Sequence, residues 1–219
     1  MTGKPEAVNK TRFYQCVRML VKALAAVFYP SRLVNPGILE AMNAPYIMIA
    51  NHQSMMDPLL LAAHLKRYEI RFLGKRELTR FALLRWVVEK LHMIPVSRHQ
   101  SDIRAMRACL NTLKEGHVLC LFPEGSRYPG SKPMTHIESG FTVLALRGRV
   151  PLLPVYIHGI PRPFRRVEML VGDPIPFETL RRESDELSYE AVKTHIRGVY
   201  QRLEEKLKHQ KNISSQRTV

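Results

Sequence analysis

His52 and Asp57 are the side chains whose types and spacing best fit proton-transfer chemistry. They follow the apolar run 46–50 directly and have four residues between them. An apolar run of this kind, bounded by a turn, predicts a buried strand, and α/β proteins place their ligands where such strands end. An imidazole beside a carboxylate can act as a general base, because the carboxylate fixes the tautomer and the other ring nitrogen accepts a proton. The pair is therefore a candidate catalytic base.

The same two residues also fit a purely structural role. Asp57 and Pro58 precede the apolar residues 59–62, and an Asp N-cap followed by proline at the first helical position is a favourable helix start. A histidine near a strand end can serve only to complete local hydrogen bonding. Both interpretations stay open on this segment alone.

A second polar segment, 122–127, follows a predicted strand and reads Phe-Pro-Glu-Gly-Ser-Arg. Gly125 lets a backbone approach a ligand, Ser126 offers a hydroxyl, and Arg127 offers a planar fork for phosphate. Glu124 could orient that arginine or accept a hydrogen bond from a hydroxyl. Taken alone, the composition favours an ordinary turn that contains proline and glycine.

The chain carries a large excess of positive charge. Its 34 Lys and Arg residues against 19 Asp and Glu residues give a net charge of +15 and a sequence pI near 10.1. Such an excess predicts an anionic partner, which can be nucleic acid, anionic lipid, an acidic carrier protein or a phosphorylated substrate. Charge alone does not choose among them.

Size and composition predict one globular domain with room for an appended element. The chain has 219 residues, of which 45% are hydrophobic and 24% charged. Cys16, Cys109 and Cys120 lie far apart, which argues against a disulfide framework or structural zinc and favours a reducing, cytosolic setting. We find no signal-peptide pattern and no apolar run long enough to cross a bilayer.

Residues 11–28 are predicted to form an amphipathic helix that ends before Pro30. At roughly 100° per residue, its apolar residues share about one third of the circumference and its basic residues lie outside that arc. This pattern suits a helix lying in a membrane interface, and it suits a helix packed on its own domain equally well. The apolar residues are Phe13, Val17, Leu20, Val21, Leu24, Val27 and Phe28, and the basic ones are Arg12, Arg18 and Lys22.

Beyond residue 45, predicted strands and helices alternate. This order predicts an α/β fold with a mixed, largely parallel sheet covered by helices, preceded by the N-terminal amphipathic membrane-interface helix. The helix that contains Trp86 is apolar on nearly all sides, so it is either well buried or partly in lipid. The strands are predicted at 46–50, 70–73, 94–97, 118–122, 152–157 and 167–171, and the helices at 58–67, 79–92, 102–115 and 185–208.

The chain thus divides into three predicted regions. Residues 1–43 form an N-terminal membrane-associating helical segment, and 44–209 form the α/β domain. The polar residues 210–219 form a disordered tail.

Four segments occur together in an informative order. They are Asn-His-x-x-x-x-Asp at 51–57, the pair 74–78 and 94–98, Phe-Pro-Glu-Gly-Ser-Arg at 122–127, and 150–159. In this order they resemble the four conserved blocks of the glycerolipid acyltransferase family, typified by 1-acylglycerol-3-phosphate acyltransferases. The resemblance covers roughly residues 44–176, and it identifies the domain at 44–209 as an acyltransferase domain.

The resemblance implies transfer of an acyl group from a thioester to the sn-2 hydroxyl of lysophosphatidic acid, forming phosphatidic acid. His52 would remove the hydroxyl proton with Asp57 orienting it, and the oxygen would attack the thioester without a covalent acyl-enzyme. No metal is implied, and no cofactor beyond the co-substrate thioester of acyl carrier protein or coenzyme A. The residues implied to bind the acceptor are Lys75, Arg98, Gly125, Ser126 and Arg127 at its phosphate and Glu124 at its glycerol.

The resemblance also implies a peripheral or monotopic position on the cytoplasmic face of a membrane. The N-terminal helix and the cationic surplus would hold the protein on an anionic membrane surface, where each Lys or Arg contributes about 1 kcal/mol. Three positions depart from the family pattern. Ser126 replaces a commoner threonine, Tyr128 replaces a small polar residue, and Ser139 stands where lysine is frequent. The missing lysine leaves the identity of the acceptor more open than the type of reaction.

Three other functions fit parts of the sequence. Acylation of glycerol 3-phosphate, a lyso-aminolipid or a glycolipid fits the missing lysine at position 139. Nucleic-acid binding fits the charge, but aromatic residues make up only 8% of the chain and no stacking or helix-turn-helix pattern occurs, so we expect no nucleic-acid partner. A metal hydrolase could use His52 and Asp57 as ligands, but further ligands at metal spacing are missing.

Overall fold

The computed structural model describes residues 12–76, 85, 92–96, 102–183 and 189–216. Strands and helices alternate through most of them, as predicted. The strands are β1 (Ser31–Val34), β2 (Tyr46–Ala50), β3 (Ile70–Lys75), β4 (Ile94–Val96), β5 (Val118–Leu121), β6 (Leu152–His158) and β7 (Val167–Val171). The helices are α1 (Arg12–Phe28), α2 (Pro36–Ala41), α3 (Asp57–His64), α4 (Ile103–Lys114), α5 (Ser139–Gly148), α6 (Phe177–Glu183) and α7 (Tyr189–Gln216).

The seven strands form one sheet in the order β1-β7-β6-β2-β5-β3-β4. From β6 to β4 all neighbours are parallel. β7 is antiparallel to β6, and β1 is parallel to β7. The predicted mixed, largely parallel sheet is therefore confirmed. Because β2, β5 and β6 are parallel, their carboxyl ends meet at one edge, which we call the carboxyl edge.

Helices cover both faces of the sheet, so its central strands are apolar on both sides. Every residue of β2 and β5 is buried. Ile47 and Ile49 pack into the core formed with α4 to α7, whereas Met48 packs into the core formed with α1 to α3. Successive side chains of a strand point to opposite faces, so one apolar run contributes to both cores.

The boundary predicted at residue 44 is wrong, because residues 31–41 belong to the α/β domain. Residues 31–34 form β1, which pairs with β7 from Ser31 to Val34, and α2 contributes buried Leu39. A four-residue edge strand that contains Ser and Arg shows no clear alternation, and its partner lies far along the chain.

The last helix continues beyond its predicted end at 208. It reaches Gln216, so residues 210–216 are helical and not the predicted disordered tail. Leu203 and Leu207 are buried against the core, and a helix anchored by packing is extended at little cost per residue. The predicted helix 79–92 lies outside the described residues except for Arg85 and His92.

The N-terminal helix contacts the domain through a narrow face. Tyr14 and Ala25 are buried, and the Tyr14 hydroxyl accepts a hydrogen bond of 3.1 Å from the Ile70 amide. The helix leaves large apolar side chains exposed, namely Met19, Leu20, Leu24, Val27 and Phe28. The side chains of Arg12, Phe13, Val17 and Val21 lie outside the described part. Among the described residues, no helix has the length and apolar character needed to span a bilayer.

Candidate active site

Asn51 fixes the point at which the chain leaves β2. Its side chain is buried and bonds both backbone groups of Ile157 in β6: Nδ2 donates to the carbonyl at 3.0 Å, and Oδ1 accepts from the amide at 2.7 Å. The side chain thus continues the pairing between β2 and β6 beyond Ala50. The loop that follows begins at the carboxyl edge and leads into α3.

His52 and Asp57 form the pair that the sequence predicts. His52 Nδ1 lies 2.8 Å from Asp57 Oδ2. The Asp57 side chain is fully buried, whereas 13% of the His52 side chain is exposed. Because an ionised carboxylate accepts and cannot donate, Nδ1 carries the proton and Nε2 is left as the acceptor. This is the tautomer that a general base needs.

Two backbone amides help to hold the Asp57 carboxylate in place. Oδ2 also accepts from the amides of Gln53 at 2.6 Å and Ser54 at 2.7 Å. Asp57 is the first residue of α3, where the helix dipole stabilises an anion. Sequence reasoning placed Asp57 one position earlier, as the N-cap. Asp57 therefore both orients the imidazole and begins the helix. The structural role and the chemical role proposed for it from the sequence are compatible.

The segment after β5 holds the other side of His52. The imidazole stacks on the Phe122 ring, with centroids 4.1 Å apart and planes inclined by 23°. The His52 amide donates to Glu124 Oε2 at 2.7 Å, and its carbonyl accepts from the Tyr128 amide at 3.0 Å. Two segments far apart in the chain therefore meet at one site, as the resemblance implied.

Glu124 is buried, and its carboxylate connects two loops through hydrogen bonds. Its side chain accepts from the amide of His52 through Oε2 and from the amide of Met134 through Oε1, the latter at 2.9 Å. Burial raises the pKa of Glu124 above its usual range, and the two backbone hydrogen bonds oppose that rise. Only 1% of the residue is exposed. Sequence reasoning missed this bracing role, because both partners are backbone groups of distant segments.

A shallow cleft of about 530 Å³ lies between the loop that contains His52 and the loop after β5. Arg127 is exposed and lines this cleft. The Gly130 amide donates to Gln53 Oε1 at 2.8 Å and ties the two sides of the cleft together. The lining residues are Gln53, Ser54, Met55, Ser126, Arg127 and Pro129. Sequence reasoning missed Gln53, which is an ordinary polar loop residue until its partner is known.

Gly125 adopts a φ of 66°, which favours glycine. A Cβ at this position would lie 2.6 Å from Glu138 Cγ. The space beside Gly125 is thus filled by the Glu138 side chain. The Glu138 carboxylate lies 3.1 Å from His136 Nε2, and about half of each side chain is exposed.

Two predicted site residues remain, Lys75 and Arg98. Lys75 is the exposed last residue of β3 and lies at the carboxyl edge. Arg98 falls outside the described residues. A larger cavity of about 660 Å³ lies between the ends of α4 and α5, where Pro45, Lys114 and Arg149 line it. It contains none of the predicted residues. Among the described residues, no three His, Cys, Asp or Glu side chains are grouped as a metal would require.

Comparison with known proteins identifies the family of the chain. Residues 29–158 match the family model described as Acyltransferase. The chain belongs to the acyltransferase family. The matched range contains both halves of the site, from the His52–Asp57 pair to the loop after β5, and it ends with β6.

Two relatives and one solved structure that are similar to this chain carry one activity in their names. The acyltransferase is 28% identical over 204 residues to the 1-acyl-sn-glycerol-3-phosphate acyltransferase of Streptococcus pneumoniae, which covers 90% of this chain and 75% of that protein. It is 24% identical over 136 residues to the Bacillus subtilis enzyme of the same name, covering 59% of this chain and 66% of that one. The crystal structure of the 1-acyl-sn-glycerophosphate acyltransferase from Thermotoga maritima shares the fold, with a TM-score of 0.68 at 22% identity over 90% of this chain and 83% of that one.

Proposed function

We propose that this acyltransferase moves a fatty acyl group from an acyl thioester to the sn-2 hydroxyl of 1-acylglycerol-3-phosphate and forms phosphatidic acid. The observation that carries the proposal is the His52–Asp57 pair, 2.8 Å apart, beside a cleft that presents Arg127 and Ser126. The names of the relatives support the choice of acceptor.

The reaction uses the free ring nitrogen. His52 Nε2 accepts the proton of the acceptor hydroxyl while Asp57 holds Nδ1–H. The oxygen then attacks the thioester carbonyl, the carbon–sulfur bond breaks, and the imidazolium returns the proton to the departing thiolate. A positioned base of this kind contributes roughly 10²–10⁴-fold to the rate. No covalent acyl-enzyme and no metal takes part.

The binding residues are assigned by chemistry and position. Arg127 offers a bidentate fork to the acceptor phosphate and Ser126 a hydroxyl, while Lys75 and Arg98 supply further positive charge. Gly125 allows the turn of the loop that carries Ser126 and Arg127. Glu124 positions the glycerol indirectly, because its carboxylate holds the backbone of His52 and Met134 in place. The donor is the thioester of acyl carrier protein or coenzyme A, and both are anionic partners suited to a net charge of +15.

The acyltransferase works as a peripheral or monotopic protein on the cytoplasmic face of a membrane. Leu20 and Val27 of α1 are 60% and 61% exposed. An exposed apolar stripe on a basic protein favours binding to an anionic lipid surface.

The test is a product assay with purified protein. Lysophosphatidate in detergent is incubated with acyl carrier or acyl-CoA thioesters, and phosphatidic acid is measured by mass spectrometry. His52→Ala should lower kcat by roughly 10²–10⁴-fold, and Asp57→Asn should lose much of the activity because the imidazole loses its orientation. The matched control His209→Ala changes an exposed histidine of α7 and should act as wild type. Full turnover by His52→Ala, or no transfer to any lysolipid by the wild type, would contradict the proposal.

A second acceptor class is favoured by one observation. Glu138 places a half-exposed carboxylate against Gly125, and Ser139 stands where lysine is frequent in the family. A negative charge here disfavours a phosphate and favours a headgroup that carries an amine. Competition among lysophosphatidate, glycerol 3-phosphate, a lyso-aminolipid and a lyso-glycolipid separates the two acceptor classes. At equal concentrations, the acceptor with the higher kcat/KM is consumed faster.

A further inference from the structure

The loop between β6 and β7 presents an aromatic side chain to solvent in an unfavourable backbone conformation. Phe164 is 71% exposed, the highest value among the large apolar side chains of the described residues. Its φ of 59° is rare for a bulky residue and costs free energy. The Phe164 amide donates to the Phe28 carbonyl at 2.7 Å, which holds the loop against the end of α1. Strain at an exposed aromatic tip points to a role outside the fold.

Three arginines flank this tip. Arg162 and Arg165 form an isolated bridge, with the Arg165 amide donating to the Arg162 carbonyl at 3.2 Å. Arg166 follows directly, and the residues from 162 to 166 are all exposed. Residues 159–166 contain no acidic residue. The loop therefore combines one apolar tip with a local charge of +3 at its base.

The tip is continuous with the exposed stripe of α1. The rings of Phe164 and Phe28 lie 5.7 Å apart and are inclined by 56°. From Phe28 the stripe continues along the helix through Val27, Leu24 and Leu20, all of them exposed. We call the loop tip together with this stripe the interfacial patch. The patch offers an exposed apolar line with cations beside it.

The loop leaves the sheet at the same edge as the candidate active site. β6 is the parallel neighbour of β2, so residues 159 and 51 leave the sheet on the same side. A Cβ added at Gly130 would lie 4.0 Å from Ile160 Cδ1, which puts the loop next to the segment that lines the cleft. A surface bound to the interfacial patch would therefore lie near the cleft.

We propose that the β6–β7 loop is a second membrane contact beside α1, in which Phe164 inserts among the headgroups of an anionic bilayer and the three arginines bind lipid phosphates. A bilayer offers an apolar layer beneath an anionic one, which matches an apolar tip above a cationic base. An acidic protein would match the arginines but not the length of the apolar stripe. That the contact directs the cleft toward a lipid acceptor rests on the proposed function; the contact itself does not.

The experiment measures binding of the full chain to vesicles by flotation. One set is pure phosphatidylcholine and the other contains phosphatidylglycerol. Phe164→Ser should weaken binding to both sets by about tenfold, because a buried aromatic side chain returns to water. Replacing the three loop arginines with glutamine should weaken binding to the anionic set by about fivefold per charge, and leave binding to the neutral set unchanged.

Two controls match these variants. Ile103→Ser changes a 65% exposed apolar side chain of α4. This helix covers the face of the sheet opposite to α1. Arg147→Gln with Arg149→Gln removes two exposed cations near the other cavity. Both should bind vesicles as the wild type does. Phe164→Gly separates binding from folding: glycine fits the positive φ, so its melting temperature should be no lower than that of the wild type while its binding is as weak as that of Phe164→Ser.

The outcomes distinguish this inference from the proposed function. Unchanged vesicle binding in both Phe164 variants, or equal loss in Ile103→Ser, overturns the membrane contact. The membrane contact is also overturned if the Phe164 variants bind vesicles like the wild type but react more slowly with an acyl carrier protein thioester. That result would assign the loop to protein docking. Patch-dependent binding by a protein that acylates no lysolipid in detergent leaves the contact standing and removes only the proposed function.

Discussion

At the residue scale, Gly125 depends on two separate features of its surroundings. Its φ of 66° is strained for any other residue, and a Cβ would overlap Glu138 Cγ at 2.6 Å. Gly125→Ala should therefore lower the free energy of unfolding by about 1–3 kcal/mol from the backbone alone, with a further loss from the overlap. The kcat/KM should fall as well, because Ser126 and Arg127 shift with the loop. Urea unfolding and the product assay measure the two effects.

A pair of variants separates the backbone strain from the overlap. Gly130 also has a positive φ, 76°, but a Cβ there would make only an ordinary contact at 4.0 Å. Gly130→Ala should therefore show the strain without the overlap. Adding Glu138→Ala to Gly125→Ala should recover the part of the loss that comes from crowding. If Gly125→Ala costs no more than Gly130→Ala, the close packing of Glu138 is unimportant.

At the element scale, one histidine joins the end of α3 to the start of β1. His64 Nε2 lies 2.8 Å from the Ser31 hydroxyl. Burial is the main cause that lowers the pKa of His64 below its ordinary value of 6.5, and the nearby Lys22 and Lys66 add to it. As the pH falls through 6.5, the unfolded chain takes up this proton before the folded one does. Stability should therefore be lost progressively from pH 6.5 down to the lower pKa of the folded state.

His64→Gln checks this dependence, because glutamine cannot take up the proton. The difference between the urea midpoints of wild type and variant should change below pH 6.5 and stay constant above it. His209→Gln, at an exposed position of α7, serves as the control. The same pH slope in wild type and His64→Gln would show that His64 does not set the acid stability of this junction.

The elements that could be predicted from sequence are those with strong local signals. β2 and β5 are unbroken apolar runs, and α4 has an Asp102 cap whose side chain accepts from the Ala105 amide. β1, α2, α5 and α6 lack such signals. α5 begins with Ser139 and Gly140, two weak helix formers, and forms because Phe141 and Leu144 pack into the core. Tertiary packing decides these elements, so a local pattern cannot reveal them.

The site divides in the same way. His52 and Asp57 are close in sequence, so their chemistry could be inferred before their geometry was known. The bracing by Glu124 could not, because its carboxylate joins two backbone amides from separate loops. The packing of Glu138 on Gly125 likewise depends on how the start of α5 folds back onto the loop. Sequence motifs reveal which residue types are present. The contacts that hold those residues in place are known only once the fold is known.

At the scale of the whole molecule, the sheet brings three features to one edge. The loops after β2 and β5 carry the pair and the cleft, and the loop after β6 carries the aromatic tip. Strands that are buried on both faces hold these loops in fixed register. Tyr200 of α7 adds to this by donating to the Ile49 carbonyl at 2.8 Å, which ties the last helix to β2 near the pair. The candidate active site and the proposed membrane contact are thus positioned by the same sheet.

The net charge of +15 and the exposed stripe of α1 should make separable contributions to membrane binding. Salt shortens the Debye length from about 10 Å at 0.1 M to about 3 Å at 1 M, so affinity for anionic vesicles should fall roughly tenfold or more over this range. The binding that remains should come from apolar contact, which salt does not screen, and Leu24→Ser with Val27→Ser should remove most of it. Binding to neutral vesicles should not fall with salt and provides the control. Salt-independent binding to anionic vesicles would mean that the cationic surplus serves another partner, because charge attraction across water cannot resist screening.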